Sequence, residues 1–249
     1  VHHPSEYTLS LRVEAASLDF DAIDNAMGAA GSHQHIDRQP TRFRRGQSYN
    51  RWEIEARDVE GAVRFKSIDE AFSALSNGNF ASIFHSVATT EDRVSYWWCG
   101  CFHSVTSAHT LIAEETFDLL VRSNSPIFLD TFYSPTGSAN SDPSVAENPS
   151  GDQEELSGHR YRFGLADGEL CLSESEWGPY FEDFSEGMQS KLQELAHPIR
   201  CKDVANRSVK RILCEHIQYS YDGGPKLGPD HAAAIALLGL ELAILWRKG

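Results

Sequence analysis

Basic residues are scarce in this chain. Across 249 residues, 22 lysines and arginines stand against 36 aspartates and glutamates, for a formal net charge of −14. Phosphate backbones and anionic lipid surfaces are bound by lysine and arginine through counterion release, so neither nucleic acid nor membrane is the expected partner. The same field steers in a basic protein. Long apolar runs are also lacking. The most apolar stretch, His231 to Trp246, is too short to cross a bilayer and carries Glu241. The polar start Val1-His2-His3-Pro4 has no apolar signal core, which predicts a cytoplasmic protein. Five cysteines, an odd number without disulfide-like spacing, fit reduced thiols in that compartment.

Catalytic signatures are missing as well. The chain contains no Gly-x-Ser-x-Gly, HExxH or P-loop, and no pair of carboxylates with a reason to be close. Cys99-Gly100-Cys101-Phe102-His103 has one residue between its cysteines, where a zinc knuckle needs two to four. On a strand these three side chains share one face, an ordinary sheet pattern. His33, His35 and Asp37 offer ligands or an acid/base pair, or are simply polar loop residues. The expectation is therefore no enzyme, no metal and no cofactor.

What is present is a real core, with 41% hydrophobic residues, in alternating and helical patterns. Tyr7 to Glu14 alternates with period two and predicts a half-buried strand. Ser17 is positioned to cap a helix from about Asp19, with Gly28 at its stop. Residues 29–50, polar and arginine-rich, predict a long loop. Short strands are expected at Trp52 to Ala56 and Gly61 to Phe65. Ser67 with Glu70 forms a capping box before the helix SIDEAFSALSNG. Strands are predicted at Arg93 to His103 and Ile127 to Tyr133, with a helix over Ala113 to Val121 between them.

Residues 134–158 change character, to proline, serine, glycine, asparagine and acids with almost no large apolar side chain. Such composition predicts a flexible acidic linker. It divides the chain into 1–133 and 159–249. The second part repeats the order of the first: helix at Ser185 to Ala196, strand at Val209 to Tyr221, turn at Asp222-Gly223-Gly224, helix at Pro229 to Leu238, strand at Leu240 to Trp246. The endings LIAEETFDLLVRSNSPIFLDTFY and LGPDHAAAIALLGLELAILW match element for element. A period of roughly 110 to 120 residues is a duplication, not a solenoid. The expected fold is α+β: two tandem, related α/β-sandwich domains, each an antiparallel or mixed sheet plus helices.

The order YTLSLRV, FDAIDNAMG, RRGQ, RWEIE, SIDEAFSAL and the final helix–strand pair resembles the bacterial domain-of-unknown-function family 4279 over residues 5–134, with a degenerate echo at 184–246. The insertion GSHQHIDRQPTRF before Arg45-Gly46 departs from its layout. Members of that family resemble immunity proteins found beside polymorphic toxins. The resemblance implies an α/β sandwich that binds a protein partner, and it supplies no catalytic residues.

Two segments draw a functional reading. From Ser134 to Glu186, twelve acids stand against two bases, Arg160 and Arg162. Inside that stretch Glu174, Glu176, Trp177, Tyr180, Phe181, Glu182 and Asp183 mix carboxylates with the aromatic types that anchor protein interfaces. They are the expected partner-binding residues, the alternative being core aromatics beneath a solvated acidic rim. Arg38, Arg42, Arg44, Arg45 and Arg51, with Gly46, offer an anion site, or else a solvated loop or a patch docked on the acidic half. The function expected is an immunity protein that neutralises a cognate toxin with a basic surface, delivered by a neighbouring cell and acting in the cytoplasm, a nuclease first of all. The alternatives are a structural or small-ligand-binding module, or an enzyme using the arginine-rich loop with His33 and His35.

Overall fold

The computed structural model describes residues 5–37, 48–75, 80–88, 92–104, 107–133, 158–166, 172, 176–196, 211–218 and 224–248. The chain is a mixed α+β protein with one six-stranded and one four-stranded sheet, both mixed in direction. In chain order the elements are β1 (Glu6–Ala15), α1 (Phe20–Met27), β2 (Ser32–Ile36), β3 (Tyr49–Glu55), α2 (Ile68–Leu75), α3 (Phe80–Ala88), β4 (Val94–His103), β5 (Ser107–Ile112), α4 (Glu114–Ser123) and β6 (Ile127–Tyr133). After residue 158 come β7 (His159–Ala166), α5 (Phe184–Ala196), β8 (Arg211–Gln218), β9 (Lys226–Leu227), α6 (Pro229–Leu237) and β10 (Glu241–Lys248).

Local chemistry accounts for most of these boundaries. Asp19, not Ser17, caps α1, its Oδ1 accepting from the Ala22 amide at 3.0 Å, and Gly28 stops the helix at φ 65°. The α2 box forms as Ser67 Oγ accepts from the Glu70 amide at 3.1 Å, while Glu70 reaches back to the Lys66 amide. Residues 29–50 are not all loop, because Ser32–Ile36 pairs antiparallel with β3. This edge strand is exposed along nearly its whole length, so it shows no apolar alternation to read. Gly61 to Phe65 is not a strand either: only Phe65 pairs, bridging to Tyr7.

The sheet orders are β2-β3-β1-β4-β6-β9 and β5-β10-β8-β7. β5 follows β4 in the chain yet lies against β10, while β9 follows β8 yet lies against β6. Each half thus gives a strand to the other half's sheet. The parallel pairs β4–β6 and β8–β10 occupy corresponding places, crossed by α4 and α6, which pack on each other. The correspondence holds residue by residue. The same interval separates Cys99 from Cys214, Ile127 from Leu242, and Asn124 from Gly239, the last two both left-handed after their helices. Tyr161 bridges to Phe181 as Tyr7 does to Phe65. A single apolar cluster runs through both halves, from Leu9 and Trp97 to Phe163, Ile244 and Trp246.

The acidic linker expected over 134–158 falls outside the described residues except for Gly158, as do Asp222 and Gly223 of the expected turn. Among the described residues, no helix is long and apolar enough to cross a membrane.

Candidate functional site: the outer face of the four-stranded sheet

Alternation along β7, β8 and β10 sends Tyr161, Phe163, Ile212, Cys214, Ile244 and Trp246 into the core. Their neighbours Arg162, Leu213, Glu215, Ala243 and Arg247 must then face outward. Across that face runs the acidic-aromatic segment. Its backbone is tied to the edge of β7, with the Gly178 amide on Phe163 O at 2.9 Å, and Phe181 exchanging two hydrogen bonds with Tyr161.

The segment's residues serve different ends. Trp177 packs on a small apolar patch of Ala166, Leu213 and Ala243, beside Leu111 and Leu172. Phe181 is partly buried against Phe163, with ring centroids 6.3 Å apart, and it packs on the main core. Asp183 caps α5 through the Glu186 amide at 2.9 Å. Tyr180 remains 45% exposed. Glu176, Glu182 and Asp183 are exposed around it, and Glu174 lies outside the described residues. The structure thus splits the expected interface: Trp177 and Phe181 are largely packing residues, whereas Tyr180 and three carboxylates are presented to solvent.

Beneath Tyr180 sits a polar center that the sequence analysis missed. Arg162 lies between two rings, its guanidinium carbon 4.9 Å from the centroids of both Trp177 and Tyr180. Its Nε donates to Oε2 of Glu215, a fully buried carboxylate. Tyr180 OH donates to the same oxygen at 3.1 Å, and Arg247 Nε lies 3.0 Å from Oε1. Glu215 thus accepts hydrogen bonds from Arg162 and Tyr180 on Oε2 and forms an ion pair with Arg247 through Oε1. These partners come from three strands far apart in sequence, joined only by the pairings Arg162–Glu215 and Leu245–Glu215.

The other candidate residues are engaged elsewhere. His33 and His35 lie on one side of β2. His33 Nε2 meets Asp24 Oδ2 at 3.0 Å and stacks on Phe20, and His35 Nδ1 meets Asn50 Oδ1 at 3.0 Å. Asp24 also accepts from the Gly31 amide and Trp52 Nε1, contacts that lower its pKa. A cavity of about 590 Å³ opens beside β2 and β3, lined by Ser32, Gln34, Glu53, Ile54, Glu55 and Arg57 among others, and neither histidine lines it. Asp37 accepts a hydrogen bond from Ser48 Oγ. Of the arginine-rich segment, Arg38, Arg42, Arg44 and Arg45, together with Gly46, lie outside the described residues. Arg51 is committed to buried Glu14, with Nη2 at 2.8 Å. Cys99, Cys101 and His103 share the core face of β4 as expected, and burial pushes the Cys101 thiol up. His231, at the start of α6, has its pKa lowered by burial.

The chain matches no protein-family model, no curated protein and no solved structure.

Proposed function

We propose that this chain is a non-catalytic immunity protein that binds and neutralises a cognate antibacterial toxin acting in the cytoplasm, with a nuclease as the leading target. One observation carries the reading: Tyr180 stands in the open, its hydroxyl tied to Glu215, among the exposed carboxylates of Glu176, Glu182 and Asp183. A tethered aromatic loses little conformational freedom on binding, and surrounding carboxylates speed and select a basic partner. The net charge of −14 argues in the same direction. A specific complex of this kind buries on the order of 1,200–2,000 Å² in total. The test is co-purification with the toxin-like product of the adjacent gene, together with rescue of cells expressing it. Absence of both complex and rescue would overturn the reading.

A second reading, a small-ligand-binding module, draws on the cavity beside β2 and β3. Glu53 and Glu55 there are already paired with Arg12 and Arg57, which leaves a polar, near-neutral lining suited to an uncharged ligand. Thermal shift against uncharged metabolites checks it; a flat response across the panel rejects it.

A further inference from the structure

The margins of the two sheets are treated differently. The segment through Gly178 and Phe181 covers the free edge of β7, and β9 is two residues long. β5 has α2 packed against it and Tyr7 OH on the His109 carbonyl. β2 has no such cover: among the described residues, no element pairs with its outer edge. Its side chains are exposed from Ser32 to His35 and half-exposed at Ile36. Ser-His-Gln-His-Ile also lacks the lysine, proline or inward-pointing charge that keeps an edge strand from adding another.

The strand is close to a palindrome about Gln34. A second β2 laid antiparallel on this edge sets Gln34 against the partner's Gln34, His33 against the partner's His35, and Ser32 against the partner's Ile36. Outward-pointing backbone groups alternate along a strand, and residues equidistant from Gln34 lie an even number apart. In this register, outward groups therefore always meet outward groups. Cross-strand side chains share a face, so the partner's Ile36 arrives beside Ser32, which lines the cavity of about 590 Å³ with Gln34 and Ile54. Two-fold symmetry repeats that apolar contact at the other end of the pair.

We propose that β2 pairs antiparallel with β2 of a second copy of this chain, about a two-fold axis at Gln34, joining two six-stranded sheets into one. A five-residue strand pair buries less than the roughly 1,200–2,000 Å² of a stable complex, so the dimer is weak and depends on concentration. Two chains at −14 repel each other, so salt strengthens the pairing by screening. The surface lies apart from Tyr180, and the inference does not rest on a toxin partner.

Sedimentation velocity of the full chain, from about 10 µM to about 1 mM, should show a monomer giving way to a dimer, earlier at high salt than at low. Gln34→Lys sets two lysines together at the axis and should weaken association about tenfold or more, while Gln34→Ser should stay within about threefold. Circular dichroism confirms that both variants fold. A short bismaleimide tests the register, with the unsubstituted chain as background. Gln34→Cys should link to itself. Ser32→Cys should not, because the two positions lie about 13 Å apart along the strands, yet it should link to Ile36→Cys in a mixture. A chain that stays monomeric throughout overturns the proposal, as does a dimer that Gln34→Lys leaves intact. Equal self-linking of Ser32→Cys and Gln34→Cys overturns it too, since that marks a different register.

Discussion

Arg162 and Glu215 face each other across β7 and β8, both buried, with the Arg162 Nε donating to a Glu215 oxygen. A buried ion pair of this kind contributes little net stability over an apolar replacement, but breaking it is costly because one charge is left without compensation. Glu215→Ala is therefore expected to destabilise the protein by about 3–5 kcal/mol. Arg162→Met combined with Glu215→Leu should recover much of that loss. Urea unfolding of the two variants checks this, and an equal loss in both would show that the pair itself is not the cause.

Two buried histidines predict acid sensitivity. Burial, with His159 adding to it, lowers His216 to about 3, and burial, with His109 adding to it, lowers His103 to about 4. Both lie below the unfolded value near 6.5, so the unfolded state binds more protons between those limits. Their stabilising effect is complete above about pH 6.5 and is lost as pH falls toward the folded values, at up to about 1.4 kcal/mol per pH unit for each. Urea midpoints measured from pH 7 down to pH 4 should fall steadily, and His216→Leu should flatten the slope. A slope unchanged by that substitution would assign the acid loss to other groups.

Gly224 lies where β9 meets β6. A methyl group placed there would come 1.7 Å from the Leu129 carbonyl oxygen, which belongs to backbone and cannot step aside. The Leu129 amide also donates to Pro225 O at 3.0 Å in the same crossing. Gly224→Ala should cost about 2 kcal/mol or more. Amide exchange should rise in both β9 and β6, and an increase confined to β9 would contradict the described pairing.

Trp177 and Tyr180 are neighbours with opposite expected phenotypes. Trp177→Ala uncovers Leu213 and Ala243 and should lower stability by about 2 kcal/mol. Tyr180→Ala should weaken a toxin complex by about 2 kcal/mol, with a smaller effect on folding. Tyr180→Phe, which loses only the hydrogen bond to Glu215, separates the tether from the ring. Titration calorimetry beside thermal unfolding distinguishes the cases, and equal effects on binding and stability would deny Tyr180 a role at an interface.

Two elements were legible in the sequence: β1 alternates because Tyr7, Leu9, Leu11 and Val13 enter the core, and the Ser67–Glu70 box marks α2. β1 is not half-buried as expected, since Thr8, Ser10 and Glu14 on its other face are covered too. β2 was hidden because Ser-His-Gln-His-Ile has no buried face. No local pattern reveals that β5 pairs with β10, since strand partners are chosen by non-local packing. At the candidate site the composition of residues 176–183 was visible, but the division of labour was not. Trp177 and Tyr180 read alike in sequence and differ because one lies on Leu213 and Ala243 while the other reaches over Arg162 to Glu215 and stays 45% exposed. Arg162, Glu215 and Arg247 gave no signal, being ordinary outward positions on three separate strands.

The placement of β5 and β9 also governs time. A ribosome releases Ser107–Ile112 long before Glu241–Lys248, so β5 waits, unpaired, until β10 has been made. The edge of β6 likewise waits for Lys226 and Leu227. Synthesis of the first half therefore ends with two vacancies that only the second half can fill, and completion of both sheets is deferred until β9 and β10 emerge.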